Sequence, residues 1–312
     1  MVAPFYLCRS DLRVVGMKKI LQTIDPLALT AGIVFAIIWS SAFTSARIIV
    51  SEAPPVLALS FRFLASGSVA LLIALALRQS FRLTAVQWRA TIIFFICQNA
   101  IYLGFNFIAM QWVEASLASI IASSMPLLVA LFAVVFFKDR LSRLGLIGLI
   151  LGFAGVVLIM GTRISVGADL WGVLLCLIAA ASLAIATLTV KVASSGGNLL
   201  VIVGLQMMVG AIILFIPGMW FETWDVTWTP RLTIAYAYTI IFPGLIATLI
   251  WFWLVGRIGA IKAATFHFLN PFFGVAVAAV ILAEGLGPYD ILGVIIMMIG
   301  ILAVQTSRNT PQ

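Results

Sequence analysis

The sequence is poor in charge, nearly empty of histidine and sparing with cysteine. Only 9% of its 312 residues are Asp, Glu, Lys or Arg, against roughly a quarter in a soluble domain. With 64% hydrophobic residues and a mean hydropathy of +1.23, no water-soluble fold could hide the apolar surface. The chain therefore reads as a polytopic membrane protein. Its apolar stretches are about 20 residues long and do not alternate, which favours helices over a barrel. Cys8, Cys97 and Cys176 are scattered and suggest neither a disulfide framework nor a thiolate metal site. One histidine, His267, and no mid-span acid cannot assemble a metal-ligand set. No cofactor is implied. The missing acids also leave little support for a carboxylate proton relay or an acid-built sodium site. No Ser–His pair at motif spacing points to an intramembrane enzyme.

Ten apolar segments are present, at about 27–50, 55–78, 87–110, 115–137, 142–161, 169–192, 197–220, 232–256, 260–283 and 288–306. Short connections make sequence neighbours antiparallel neighbours. The net charge of +8 does not imply a nucleic-acid partner, because the basic residues lie between spans, where they report orientation. Of the 18 Lys and Arg, all but Arg47, Arg62, Arg163 and Arg231 fall on the side of the N-terminus. Both termini are therefore expected in the cytoplasm. These four arginines do not all lie in loops: Arg47 and Arg62, like Lys191 and Lys262, sit within about two turns of span ends and can snorkel. Residues 1–24 read as a cytoplasmic tail and not as a signal peptide. Met17, just before Lys18 and Lys19, is a candidate start.

The chain repeats itself. Glu114 to Gly155 aligns with Gly259 to Gly300 at an offset of 145, pairing Pro126 with Pro271, Asp139 with Glu284, Gly148 with Gly293 and Gly155 with Gly300. Asp25 pairs with Asp169 at an offset of 144. Five helices per half is an odd number, so the second half enters the membrane from the opposite side. The expected fold is all-α: ten transmembrane helices as two inverted five-helix repeats, residues 25–163 and 164–306, with a short cytoplasmic tail at 307–312. Inverted repeats commonly support alternating access, with the substrate site at mid-membrane between them.

The segment from Trp112 to Ile159 resembles the signature of EamA-type transporters of the drug/metabolite transporter superfamily. It has a small-residue run "ASLASIIASS", then Pro126, an apolar helix, the turn "DRLS" (Asp139 to Ser142), and glycines 145, 148, 152 and 155. "WSSAFTSAR" (Trp39 to Arg47) is similar to the Trp-small-Ser element of the family's first helix. Within the superfamily the chain most resembles the YddG-type exporters. That resemblance implies an inner-membrane exporter of amino acids, aromatic or otherwise neutral. A multidrug exporter of hydrophobic cations is the nearby alternative, although a cation site would usually want a buried acid.

Several residues could carry transport. Pro126 and Pro271 favour kinks and would leave the carbonyls of Ala122 and His267 without helical donors, groups that a membrane interior must satisfy. Ser123 lies near the first proline, and His267 and Asn270 near the second. Gln98, Tyr102 and Asn106, at i, i+4 and i+8, form a polar stripe on an apolar helix, which should face the interior. Their counterparts at an offset of 145 are Pro243, Ala247 and Trp251. Trp39, Tyr102 and Trp251 could stack on an aromatic substrate or face a cation. Ser41 and Thr44 belong to a cavity wall or to close helix packing. His267, whose counterpart is Ala122, is the one titratable candidate in the bundle for touching a substrate carboxylate. The glycines in the fifth and tenth spans read as packing, between the halves or between subunits. The partners expected are a small-molecule substrate and lipid.

Overall fold

The structure is a computed structural model. It describes residues 25–137, 142–165, 167–193, 198–259, 263–285 and 287–308. The expected N-terminal tail, Asp139 with most of its turn, and Lys262 lie outside the described residues. Among the described residues there are helices and no strands. In chain order these are α1 (Pro26–Glu52), α2 (Pro55–Ala76) and α3 (Ala85–Ala109). Next come α4 (Ala115–Ala122, continued by Met125–Phe137), α5 (Arg143–Ser165), α6 (Leu170–Ala193) and α7 (Leu199–Phe221). The last are α8 (Pro230–Ile258), α9 (Phe266–Leu282) and α10 (Pro288–Arg308). The first eight are long and apolar enough to cross a membrane, and α9 and α10 supply two shorter apolar stretches, Phe266–Leu282 and Pro288–Val304. The protein is a multi-pass membrane protein.

Capping explains where several helices begin. The Asp25 carboxylate accepts from the amides of Leu27 (3.1 Å) and Ala28 (3.4 Å), with Pro26 at the first helical position. Asp169 accepts from Gly172 N (2.7 Å) at the start of α6. Thr84 Oγ1 accepts from Gln87 N at the start of α3, and Thr229 Oγ1 from Leu232 N at the start of α8, again 145 residues apart. Three starts are capped from elsewhere in the chain. The Glu222 carboxylate takes the Val56 and Leu57 amides of α2, both at 2.8 Å, the Glu284 carboxylate takes the Ala115 and Ser116 amides of α4 at 2.8 and 2.9 Å, and Gln79 Oε1 takes Leu200 N of α7 at 3.1 Å. These contacts satisfy amides that a helix leaves open at its first turn.

The helix neighbours follow a pattern. α5 packs on α10 and α2 on α7, while α1 lies against α8 and α9, and α6 against α3 and α4. Exchanging each helix for the one five places along leaves these pairings unchanged. The α5–α10 seam is the closest. A Cβ on Gly155 would sit 2.6 Å from Gly293 O, and one on Gly300 would sit 2.3 Å from Gly152 N. The glycine spacing therefore serves contact between these two helices, where small residues let backbones approach.

Four local features depart from plain α-helix. α3 widens to a π-helical turn at Ile96–Leu103, and α8 does the same at Ile240–Ile246. α4 is interrupted at Ser123 and Ser124, just before Pro126. A 3₁₀ turn, Thr265–Leu269, leads into α9, which is α-helical from Asn270, with Pro271 in its first α-helical turn. Here the structure corrects the sequence argument. The carbonyl of His267 is not orphaned, because the tighter 3₁₀ turn hands it the amide of Asn270.

Candidate functional site

A cavity of about 40 Å³ lies between α1, α2, α3, α7 and α8. On that measure one water needs roughly 10–15 Å³, so the space is water-sized. Its wall is mostly apolar but carries polar groups from both halves: Arg62, Gln98, Asn99, Tyr102 and Asn106 from the first, Gln206, Thr239 and Thr248 from the second. Phe63, Phe94 and Trp251 complete the apolar side with Trp39, Phe43 and Met207.

The polar stripe of α3 faces this cavity even though the π-turn runs through it. Tyr102 lies parallel to Trp39, with ring centroids 6.2 Å apart. Asn106 Nδ2 donates to Tyr102 O at 2.8 Å, which fixes the amide and leaves Oδ1 buried without a protein partner. Asn99 Nδ2 donates to Gln206 O at 2.9 Å, and Gln206 Oε1 is likewise buried without a protein partner.

Arg62 is the residue that sequence reasoning misplaced. It was expected to snorkel, yet it is 4% exposed and lines the cavity. Its partners lie at the edge of the π-turn of α8, whose i→i+5 bonding lets the helix pass Pro243. Arg62 Nε donates to Thr239 O at 3.3 Å, and Ser66 Oγ donates to the next carbonyl, Ile240 O, at 3.0 Å. Among the described residues no carboxylate pairs with Arg62.

The remaining candidates lie off the cavity wall. His267 is buried with its ring edge-on to Trp251 (5.0 Å), Phe35 (5.3 Å) and Trp39 (5.9 Å). Its Nδ1 is 2.8 Å from Asn270 Nδ2. Trp39 and Trp251, which do line the cavity, both pack on it. Ser123 Oγ donates to Ser119 O at 2.6 Å, inside the break in α4. Ser41 Oγ lies 2.5 Å from Tyr238 OH and donates to Ile38 O. Thr44 is buried and its hydroxyl has no protein partner. The structure thus brings Trp39, Gln98, Tyr102, Asn106 and Trp251 together and leaves Ser41, Thr44, Ser123, His267 and Asn270 off the cavity wall.

A model of the EamA-like transporter family matches the chain twice, over residues 26–161 and 170–306. The chain belongs to the EamA-like transporter family. Similar curated proteins include the uncharacterized transporter YvbV of Bacillus subtilis, 27% identical over 94% of this chain and 95% of its own length. Another is the uncharacterized inner membrane transporter YedA of Escherichia coli, 26% identical over 82% of each chain. A solved crystal structure aligns with a TM-score of 0.67 at 18% identity, over 92% of this transporter and all of the other chain, a likeness of fold.

Proposed function

We propose that this transporter exports small metabolites, namely amino acids, aromatic or otherwise neutral, across the inner membrane by alternating access. The observation that carries the reading is the cavity, whose lining combines amides and a phenol with indole and phenyl faces. A molecule with one polar and one apolar end suits such a site. The water-sized volume fits a closed conformer, from which substrate gains access only when helices separate.

The architecture proposed with it is ten spans in two inverted repeats, residues 25–163 and 164–306. Four observations support it: the double family match, the helix pairings that survive a five-place exchange, the caps repeated at Thr84 and Thr229, and the π-turns near the same place in each half. The distribution of Lys and Arg supports cytoplasmic termini. The similarity to YedA, an inner membrane transporter, supports an inner-membrane location. His267, Asn270, Ser41, Thr44 and Ser123 are assigned a supporting role, holding the indoles and helix breaks that shape the wall. Pro126 and Pro271 mark the places where α4 and α9 bend during the cycle.

The test is flux from proteoliposomes. Purified protein is expected to release preloaded labelled phenylalanine, and other neutral amino acids, at least about tenfold faster than protein-free vesicles, a difference worth 1.4 kcal/mol in barrier. No flux of any amino acid overturns the reading. Flux of aromatic cations alone would replace it with multidrug export.

A further inference from the structure

Three features of the cavity remain without a role: one buried cation and two buried acceptors. Arg62 has five N–H donors in a planar fork, and among the described residues one of them is engaged, by Thr239 O at 3.3 Å, while the guanidinium lies over the Phe63 ring at 5.3 Å. One long bond to a carbonyl and one ring face are poor compensation for a guanidinium that is 4% exposed. Two side-chain oxygens on the same cavity, Asn106 Oδ1 and Gln206 Oε1, are buried and unpartnered. Asn106 cannot be relieved by exchanging its amide atoms, because its nitrogen already donates to Tyr102 O. The cavity therefore holds a surplus of donors at one place and of acceptors at others.

We propose that these groups form a zwitterion clamp: Arg62 binds the substrate's carboxylate, and Asn106 Oδ1 and Gln206 Oε1 accept from its ammonium group. The inference rests on the amino-acid reading above and deepens it by assigning the head group. A carboxylate matches the guanidinium fork with two parallel bonds, both charge-assisted. An ammonium has three donors and no acceptor, so neutral amide oxygens suit it, and no buried carboxylate is needed. Each half supplies part of the clamp: Arg62 and Asn106 lie in the first half, Gln206 in the second. Arg62 Nε also donates to Thr239 O, where the π-turn of α8 begins. A carboxylate drawn to the guanidinium would compete with that carbonyl, coupling occupancy to the fit of α2 against α8.

The experiment compares three ligands of one shape in proteoliposomes and in binding to detergent-purified protein: phenylalanine, phenethylamine, which lacks the carboxylate, and 3-phenylpropionate, which lacks the ammonium. Wild-type protein is expected to take phenylalanine at least about tenfold better than either analogue. Arg62→Gln is expected to weaken phenylalanine by about 100-fold and to leave phenethylamine unchanged or improved. Arg62→Lys, which keeps the charge and loses the fork, should fall between. Gln206→Leu and Asn106→Leu should weaken phenylalanine while sparing 3-phenylpropionate. If wild-type protein moves phenylalanine but does not discriminate against the amine, the clamp is wrong and amino-acid export stands. The same conclusion follows if Arg62→Gln lowers all three ligands alike. Should Arg62→Gln fail to fold, the wild-type ratios and the two amide variants decide. If wild-type protein neither binds nor moves phenylalanine, the amino-acid reading itself fails and takes the clamp with it.

Discussion

Gly155 on α5 and Gly300 on α10, 145 residues apart, meet the opposite helix in the same way. Gln98 and Pro243, also 145 apart, present different groups to the cavity. At the seam, each glycine lies where a Cβ would strike the backbone of the facing helix, at 2.6 Å from Gly293 O in one case and 2.3 Å from Gly152 N in the other. At the cavity, the π-turn of α3 carries Gln98, Asn99 and Tyr102, whereas that of α8 carries Pro243 and Gly244 and begins beside the Thr239 carbonyl that accepts from Arg62. Packing between helices demands only that backbones fit, and both halves still meet that demand alike. A site for an asymmetric molecule demands different chemistry on its two sides, and there the halves have parted.

The largest effects should come from the seam. Gly155→Ala and Gly300→Ala each force a methyl against backbone that has no flexible end to move aside. Each is expected to cost about 1–3 kcal/mol, and the two should be alike. Thermal unfolding of the purified variants in detergent checks this. If one variant melts with the parent while the other collapses, the seam is not equivalent in the two halves.

Much of the fold was legible in the sequence because lipid leaves few choices. A span must be apolar, of a certain length, and satisfied in its own backbone. The stripe of Gln98, Tyr102 and Asn106 could be read for the same reason, since three polar side chains on one helical face rarely point at lipid. The π-turns could not be read. A widening of one turn in α3 leaves the hydrophobic pattern intact, and no proline marks it. Arg62 was misread because an arginine about two turns from a span end usually reaches for the interface. The signal nearest to it was Pro243, which disturbs plain helical bonding in α8 at the turn that Arg62 touches. His267 drew attention as the one imidazole of the chain. Its place beneath Trp39 and Trp251 required the 3₁₀ turn of α9, which no local pattern announced.

A smaller effect on folding, but a clear one on function, separates the cavity from the seam. Gln98→Leu removes a polar group that faces the cavity and leaves the helix and its apolar contacts in place. Its thermal midpoint should match the parent's, while phenylalanine flux should drop by about tenfold, the worth of one hydrogen bond of about 1.4 kcal/mol. Unchanged flux would move the polar wall elsewhere. A drop in melting comparable to that of Gly300→Ala would make Gln98 a packing residue like the glycines.

The smallest expected effect sharpens the comparison at the helix starts. Asp25 and Asp169 cap α1 and α6 through the same kind of bond, but Asp25 also pairs with Arg257 of α8. The hydrogen bond from Arg257 holds the Asp25 carboxyl below its ordinary value of 3.8, with the Leu27 and Ala28 amides adding to it. A carboxyl depressed in the folded state contributes stability above its unfolded pKa, near about 4, and loses it as pH falls through the folded value. Asparagine preserves the cap and removes the charge. Asp25→Asn should therefore lower the thermal midpoint slightly at pH 7, and the gap should close as the pH drops below about 4. High salt should narrow the gap as well, because the pair is partly exposed. Asp169→Asn, which tests the cap alone, should give a smaller gap at pH 7. Equal gaps for the two variants would mean that the cap, and not the pairing of α1 with α8, carries the effect.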